Sequence, residues 1–179
     1  MPDFVTIEKG HGPDGRIAIV KFDRGDGINA LSPEAMRQLT NAARTFEDDA
    51  ATSVVVLAGG ADAFTAGFDL KDPEGRARRA MDLGSLRRHL KLGPRMTRAW
   101  QEMEQITIGA IEGFCIGGGV ALAVALDFRV MGRDAHMRVP ENRARHEHEL
   151  AERAAHAAPD RPRPYQAGCD PGGSTHLRR

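Results

Sequence analysis

The first apolar positions fall in two short stretches, Phe4–Glu8 and Arg16–Phe22, on either side of Gly12-Pro13-Asp14-Gly15. Apolar runs broken by a Gly/Pro turn predict strand, turn and strand. The period then lengthens. Leu39, Ala42, Ala43 and Phe46 recur at helical spacing. Ser32 stands where an N-cap belongs, Pro33 suits the first turn, and Glu34 suits the positive end of the helix dipole. Ser53–Ala58 is an unbroken, largely β-branched run closed by Gly59 and Gly60, which predicts a strand buried on both faces. Asp72–Leu92 is charged and is expected to be a surface helix or a mobile segment. Met96, Trp100, Met103 and Ile106 keep helical spacing through Arg95–Ile106. Thr107–Ile111, Gly117–Leu126 and Phe128–Met131 then read as strand, glycine-started helix and strand, and His136 falls on a last short strand. This alternation predicts a layered α/β domain.

The pattern stops after Glu141. Residues 142–179 contain no Ile, Val, Phe, Met, Trp or Lys, but hold four of the ten prolines and four of the seven histidines. Glu147–Ala158 favours helix by composition, yet Leu150 is its only large aliphatic residue, so it has almost no face to bury. The chain therefore divides into a core over 1–141 and a tail over 142–179 that is expected to be disordered.

Composition narrows the function classes. Formal net charge is zero, which gives no support to a nucleic-acid partner. Two cysteines, Cys115 and Cys169, make no disulfide framework, and Cys115 in its apolar run reads as a buried small hydrophobe. The start Met-Pro-Asp-Phe has no basic region followed by an apolar one, and the longest apolar stretch, Phe114–Leu126, is too short and glycine-broken to span a bilayer. A cytoplasmic protein that does not enter membranes is the expectation.

Two glycine-containing segments carry the candidate chemistry. Ala63-Phe-Thr-Ala-Gly-Phe-Asp-Leu70 follows a strand and enters a loop, a setting that can turn backbone N–H groups into a crevice. Ile111-Glu-Gly-Phe-Cys-Ile-Gly-Gly-Gly-Val-Ala-Leu-Ala123 places three consecutive glycines between strand and helix. Glycine favours neither element, so these positions mark close backbone approach, to a ligand or to a neighbouring element. Donors of this kind can stabilise an oxyanion without any side chain.

Both segments, together with Asn29-Ala-Leu-Ser32, Val54-Val-Val-Leu-Ala-Gly59 and Asp127-Phe-Arg-Val130, occur in the order found in the enoyl-CoA hydratase/isomerase (crotonase) family, which residues 4–141 resemble. The resemblance implies an α/β spiral of ββα repeats with a bent acyl-CoA in its crevice, no metal and no redox cofactor, CoA being part of the substrate. It implies oxyanion-hole N–H donors at Phe68 and Gly118, and adenine of CoA against the backbone at Ala66. Asp69 is expected to support the loop or the next helix start. Hydratases of the family use two glutamates. Ala121 stands at the first of these positions, and Glu141 after Pro140 matches the second. One base and an oxyanion hole suit movement of a proton along an enolate better than addition of water, so isomerisation is favoured over hydration. Decarboxylation, dehalogenation or thioester hydrolysis on the same scaffold, and an inactive acyl-CoA-binding fragment, are the alternatives. His146-Glu-His-Glu149 puts its histidines on different sides of a helix and reads as coincidence rather than a metal site.

The family's C-terminal helical region, which helps cover the site and build trimers or hexamers, is not recognisable after Glu141. Back-translation of Asn142–Arg153 displaced by one nucleotide permits Ile-Gly-Leu-Gly-Met-Asn-Met-Ser-Trp-Gln-Ser, a family-like continuation of Pro140-Glu141. The expectation is a shifted reading frame after Glu141, an apolar surface left uncovered, doubtful assembly and little turnover.

Overall fold

The opening stretches pair as an antiparallel hairpin of β1 (Val5–His11) and β2 (Ile17–Phe22), closed where Gly15 N–H donates to Gly12 O at 3.2 Å. The structure is a computed structural model and describes residues 3–139. Ser32 caps α1 (Pro33–Arg44) as expected: its Oγ accepts from Ala35 N at 3.1 Å, a contact of a kind typically worth about 1 kcal/mol.

After α1 the chain makes the same move three times. A longer strand joins one sheet and a short strand then joins a second. The pairs are β3 (Val54–Ala58) with β4 (Ala63–Thr65), β5 (Ile106–Ile111) with β6 (Phe114–Ile116), and β7 (Phe128–Met131) with β8 (His136–Arg138). The larger sheet runs β1-β2-β3-β5-β7 and the smaller β4-β6-β8, parallel throughout except for the β1–β2 hairpin. Helices leave after the first and second pairs: α2 (Pro73–Ala77), α3 (Leu83–Leu90) and α4 (Leu92–Gln101), then α5 (Gly118–Ala125). Strands that alternate between two parallel sheets in this way form a spiral of ββα repeats.

One face of the larger sheet carries the core. Val20, Val55, Leu57 and Ile111 are buried there with Leu39 and Phe46 from the α1 region and Met96 and Trp100 of α4, and Trp100 Nε1 donates to Leu39 O at 3.1 Å. The other face is left open by the described residues. Register places Ile19, Val56, Ile108 and Phe128 in one row and Ala58, Ala110 and Val130 in the next, and Phe128 and Val130 are 59% and 64% exposed. Ser53–Ala58 is thus not buried on both faces: Val55 and Leu57 are buried, while Val54, Val56 and Ala58 are only half-buried. Asp127 fastens the end of α5 to β5 by accepting from Thr107 N and Oγ1 at 2.8 and 2.9 Å.

The helix expected over 95–106 spans Leu92–Gln101 instead. Long-range contacts end it: Gln105 Nε2 donates to Phe46 O and Asp49 O at 3.0 and 3.1 Å, and Ile106 N donates to Ser53 O at 3.0 Å as β5 begins. No helix among the described residues is long and apolar enough to cross a membrane. Glu141, the His146–Glu149 motif and the tail over 142–179 lie outside the described residues.

Candidate active site

Residues 28–31, the loop after β4 and the turn between β6 and α5 come together beside one groove. The loop after β4 pairs with residues 28–31. Ala66 N donates to Ile28 O at 2.9 Å, Leu31 N to Gly67 O at 2.7 Å, and Asp69 N to Leu31 O at 3.0 Å. Gly67 N is satisfied by Thr65 Oγ1 at 3.0 Å. This parallel bridge uses the groups flanking Phe68 and skips the Phe68 N–H. The loop runs on to α2, which begins at Pro73 with Asp72 as its N-cap, and Asp69 Oδ1 accepts from Asp72 N at 3.1 Å, so Asp69 supports both the loop and the next helix start as expected. At the second segment Gly117 turns the chain with φ +54°, its N–H donating to Arg138 O at 2.9 Å. Val120 N and Ala121 N bond Gly117 O, and Gly118 is the first residue of α5, where helix geometry leaves N–H groups without partners. Among the described residues neither Phe68 N nor Gly118 N has an acceptor.

The two donors are neighbours. A Cβ added to Gly118 would lie 3.7 Å from Phe68 N, and one added to Gly67 would lie 3.1 Å from Gly118 N. That approach requires glycine. Gly67 has φ +82°, and its Cβ would stand 2.5 Å from Ile116 O; a Cβ on Gly119 would collide with Thr65 Cγ2. Phe68 and Gly118 border a groove of about 330 Å³ whose walls include Leu31, Met36, Met96 and Ala121. Its one side-chain hydroxyl, Thr97 Oγ1, turns to Gly93 O and Pro94 O at 3.3 and 3.2 Å. No titratable side chain of the described residues lines it. Ala121 lines the groove beside Gly118.

A hydrogen-bonded frame stands behind the Phe68 loop. Asn29 is buried in the left-handed conformation (φ +52°). Its Nδ2 donates to Phe22 O and Phe64 O at 2.7 and 3.0 Å, and its Oδ1 accepts from Arg24 N at 3.0 Å. Arg24 Nη1 reaches Ala30 O at 2.8 Å and Asp69 Oδ2 at 2.7 Å, and Asp69 Oδ1 accepts from Lys71 N and Asp72 N at 2.9 and 3.1 Å. Burial alone would raise the Asp69 pKa, but Arg24 and the two backbone donors together hold it below its ordinary 3.8. Asp69 is thus committed to the loop. Sequence reasoning gave no role to Arg24 and none of its own to Asn29; the signal was an Asn next to the turn-rich Asp23–Gly27, a residue type that tolerates positive φ.

Four more residues of the two segments and their surroundings sit as follows. Ala66 has its N–H committed to Ile28 O. Glu112 is exposed, and His136 is exposed on β8 with its ring 6.3 Å from that of Phe114. Cys115 is fully buried, and burial pushes its thiol up to about 11, as expected for an inert core cysteine.

A family model described as enoyl-CoA hydratase/isomerase matches residues 13–144, and the chain belongs to that family. A probable enoyl-CoA hydratase of Rhizobium meliloti is 34% identical over 129 residues, covering 71% of this chain and 47% of the relative. The crotonyl-CoA hydratase of Syntrophomonas wolfei is 30% identical over 139 residues, 76% of this chain and 50% of its own. Among solved structures, an enoyl-CoA hydratase from Bacillus anthracis superposes with a TM-score of 0.68 at 26% identity, over 79% of this chain and 52% of that one. An enoyl-CoA hydratase/carnithine racemase from Magnetospirillum magneticum gives 0.68 at 29% identity, over 80% and 52%. The fold is therefore of the crotonase type, and the chain spans about half the length of the relatives it matches.

Proposed function

We propose that this chain binds an acyl-CoA thioester with the carbonyl oxygen between the N–H groups of Phe68 and Gly118, where charge developing on that oxygen is stabilised as an enolate. The observation that carries this reading is the pair of adjacent backbone donors, both without acceptors among the described residues, at the edge of an apolar groove. A donor of this type typically lowers a barrier by about 3 kcal/mol when water is excluded. The apolar wall suits the acyl chain, and the backbone at Ala66, whose own N–H is taken by Ile28 O, is assigned to the adenine of CoA.

Ala121 offers no carboxylate, so the reading favours moving a double bond over adding water. A base removes a proton from the α-carbon of a 3-enoyl-CoA, the enolate oxygen rests on the two N–H groups, and a proton returns at the γ-carbon to give the 2-enoyl-CoA. Glu141 is assigned as that base. Among the described residues the groove is open, with Ala121 and Gly118 exposed, so water competes for the donors and turnover is expected to be slow. No metal or separate cofactor enters this scheme. Location in the cytoplasm belongs to the same reading; the family's trimer or hexamer is not assigned to this chain. Absence of catalysis with retained thioester binding would favour the acyl-CoA-binding reading, which the lack of a titratable side chain among the described residues of the groove wall supports.

The test supplies a 3-enoyl-CoA and a 2-enoyl-CoA separately and follows products by chromatography. The expected result is slow conversion of the first to the second, lost in Glu141→Gln, with no hydration of either. Hydration of the 2-enoyl-CoA at a comparable rate would overturn the preference.

A further inference from the structure

We infer that Arg24 is a positioning residue for the Phe68 donor, acting through two intervening peptide units. The inference rests on the reading of Phe68 N–H as the thioester contact. An N–H with no partner has nothing at its own atom to fix its direction. Its direction is set by the planar peptide unit it belongs to, which it shares with Gly67 C=O. Gly67 O accepts from Leu31 N at 2.7 Å. In a trans peptide the N–H points opposite to the C=O, so this bond aims the Phe68 N–H away from residues 28–31. Leu31 N–H in turn shares a peptide unit with Ala30 C=O, and Ala30 O accepts from Arg24 Nη1 at 2.8 Å.

The result is a directed relay: guanidinium to Ala30 O, Leu31 N–H to Gly67 O, and at the far end Phe68 N–H, which has no acceptor among the described residues. Each bond polarises the next peptide unit in the sense that makes its N–H a better donor. A cation stands at the head of the relay, and the ligand would stand at its tail. The same Nη1 also holds Asp69 Oδ2 at 2.7 Å, and the Asp69 N–H bonds back to Leu31 O at 3.0 Å, so the residue after Phe68 is clamped by the same group. Arg24 is itself held. Its N–H bonds Asn29 Oδ1, its Nε lies 3.3 Å from Asp26 Oδ2, and its guanidinium stacks 5.4 Å from the centroid of Phe4. None of these contacts needs a bound ligand.

Amide hydrogen exchange on the full chain without ligand tests the device separately from the thioester reading. In Arg24→Met the amides of Leu31 and Asp69 should exchange about tenfold faster or more, while Val20 and Leu57 in the sheet keep their rates. Asp69→Asn keeps the Ala30 contact and should give a smaller rise at the same two amides. Unchanged exchange at Leu31 in a folded Arg24→Met protein would overturn the inference. If Arg24→Met does not fold, Asp69→Asn decides: a rise confined to Leu31 and Asp69 supports the relay, and a uniform rise or none overturns it. A second readout is the affinity for butyryl-CoA relative to free CoA. That ratio should fall several-fold in Arg24→Met and recover in part in Arg24→Lys; a ratio that stays constant counts against positioning. Failure of wild type to prefer butyryl-CoA at all would instead remove the thioester reading and leave the exchange result standing.

Discussion

The loop carrying Phe68 is held by side chains that reach in, whereas the turn carrying Gly118 is held by close packing against residues without side chains. Around Phe68, the side chains of Asn29, Arg24 and Asp69 make seven hydrogen bonds, six of them with backbone groups. Around Gly118, Ile116 O, Thr65 and Arg138 O come so close to Gly67, Gly119 and Gly117 that no Cβ fits at the first two. Two amides can be brought side by side by either means, but the two means fail differently. A frame of side chains loses its bonds one at a time. A close backbone approach is lost with the first added methyl group.

The largest effect is therefore expected at Gly67, which touches both segments. Gly67→Ala combines a left-handed φ of +82° with a Cβ 2.5 Å from Ile116 O. The two penalties together predict a loss of about 3 kcal/mol or more of stability by chemical denaturation. An unchanged denaturation midpoint would contradict the close-packing account. Asn29→Ala comes next. It leaves Phe22 O, Phe64 O and Arg24 N without their buried partner and puts alanine at φ +52°, for an expected loss of about 2–3 kcal/mol. A loss below 0.5 kcal/mol would show that the frame is dispensable.

The pH response is smaller and has a defined sign. Thr107 N and Oγ1 hold the Asp127 carboxyl below its ordinary 3.8, and Asp69 is held below the same value against its burial. A carboxyl with a depressed folded pKa contributes its stability fully above the unfolded value and loses it as pH falls through the folded one. Thermal unfolding should therefore lose midpoint temperature as pH falls below about 3.8, with a shallower fall in Asp69→Asn and in Asp127→Asn. An equally steep fall in both variants would assign the acid response elsewhere. The smallest effect is expected at Phe68 itself. The donor is main chain, so Phe68→Leu should cost about 1 kcal/mol of packing and leave the preference for thioester over free CoA intact. Loss of that preference with the fold retained would move the contact from the backbone to the ring.

Much of the fold was legible in the amino-acid sequence. The hairpin, the Ser32 cap, β3 and the glycine-started α5 follow from short-range signals: turn residues, capping chemistry and apolar period. The helix expected to reach Ile106 fell short because Gln105 and Ile106 are claimed by Phe46, Asp49 and Ser53, partners more than 50 positions away. The split of the strands between two sheets was visible only through the family resemblance, since three-residue strands such as β4 and β6 carry no period of their own. For the site, Gly117–Gly119 announced a close approach by composition, and Phe68 was named by its place in a motif. Arg24 was invisible. An arginine in a turn reads as solvated charge until the chain brings Ala30 O and Asp69 to it.

The amides of Phe68 and Gly118, without acceptors among the described residues, are the groups on which the thioester contact rests. Titration of ¹⁵N-labelled chain with butyryl-CoA, and separately with free CoA, reads them one by one in amide correlation spectra. The amide protons of Phe68 and Gly118 are predicted to move downfield with the thioester as they gain an acceptor, and to stay in place with free CoA. Saturating thioester that leaves both unmoved would contradict the assignment of these groups to the carbonyl oxygen.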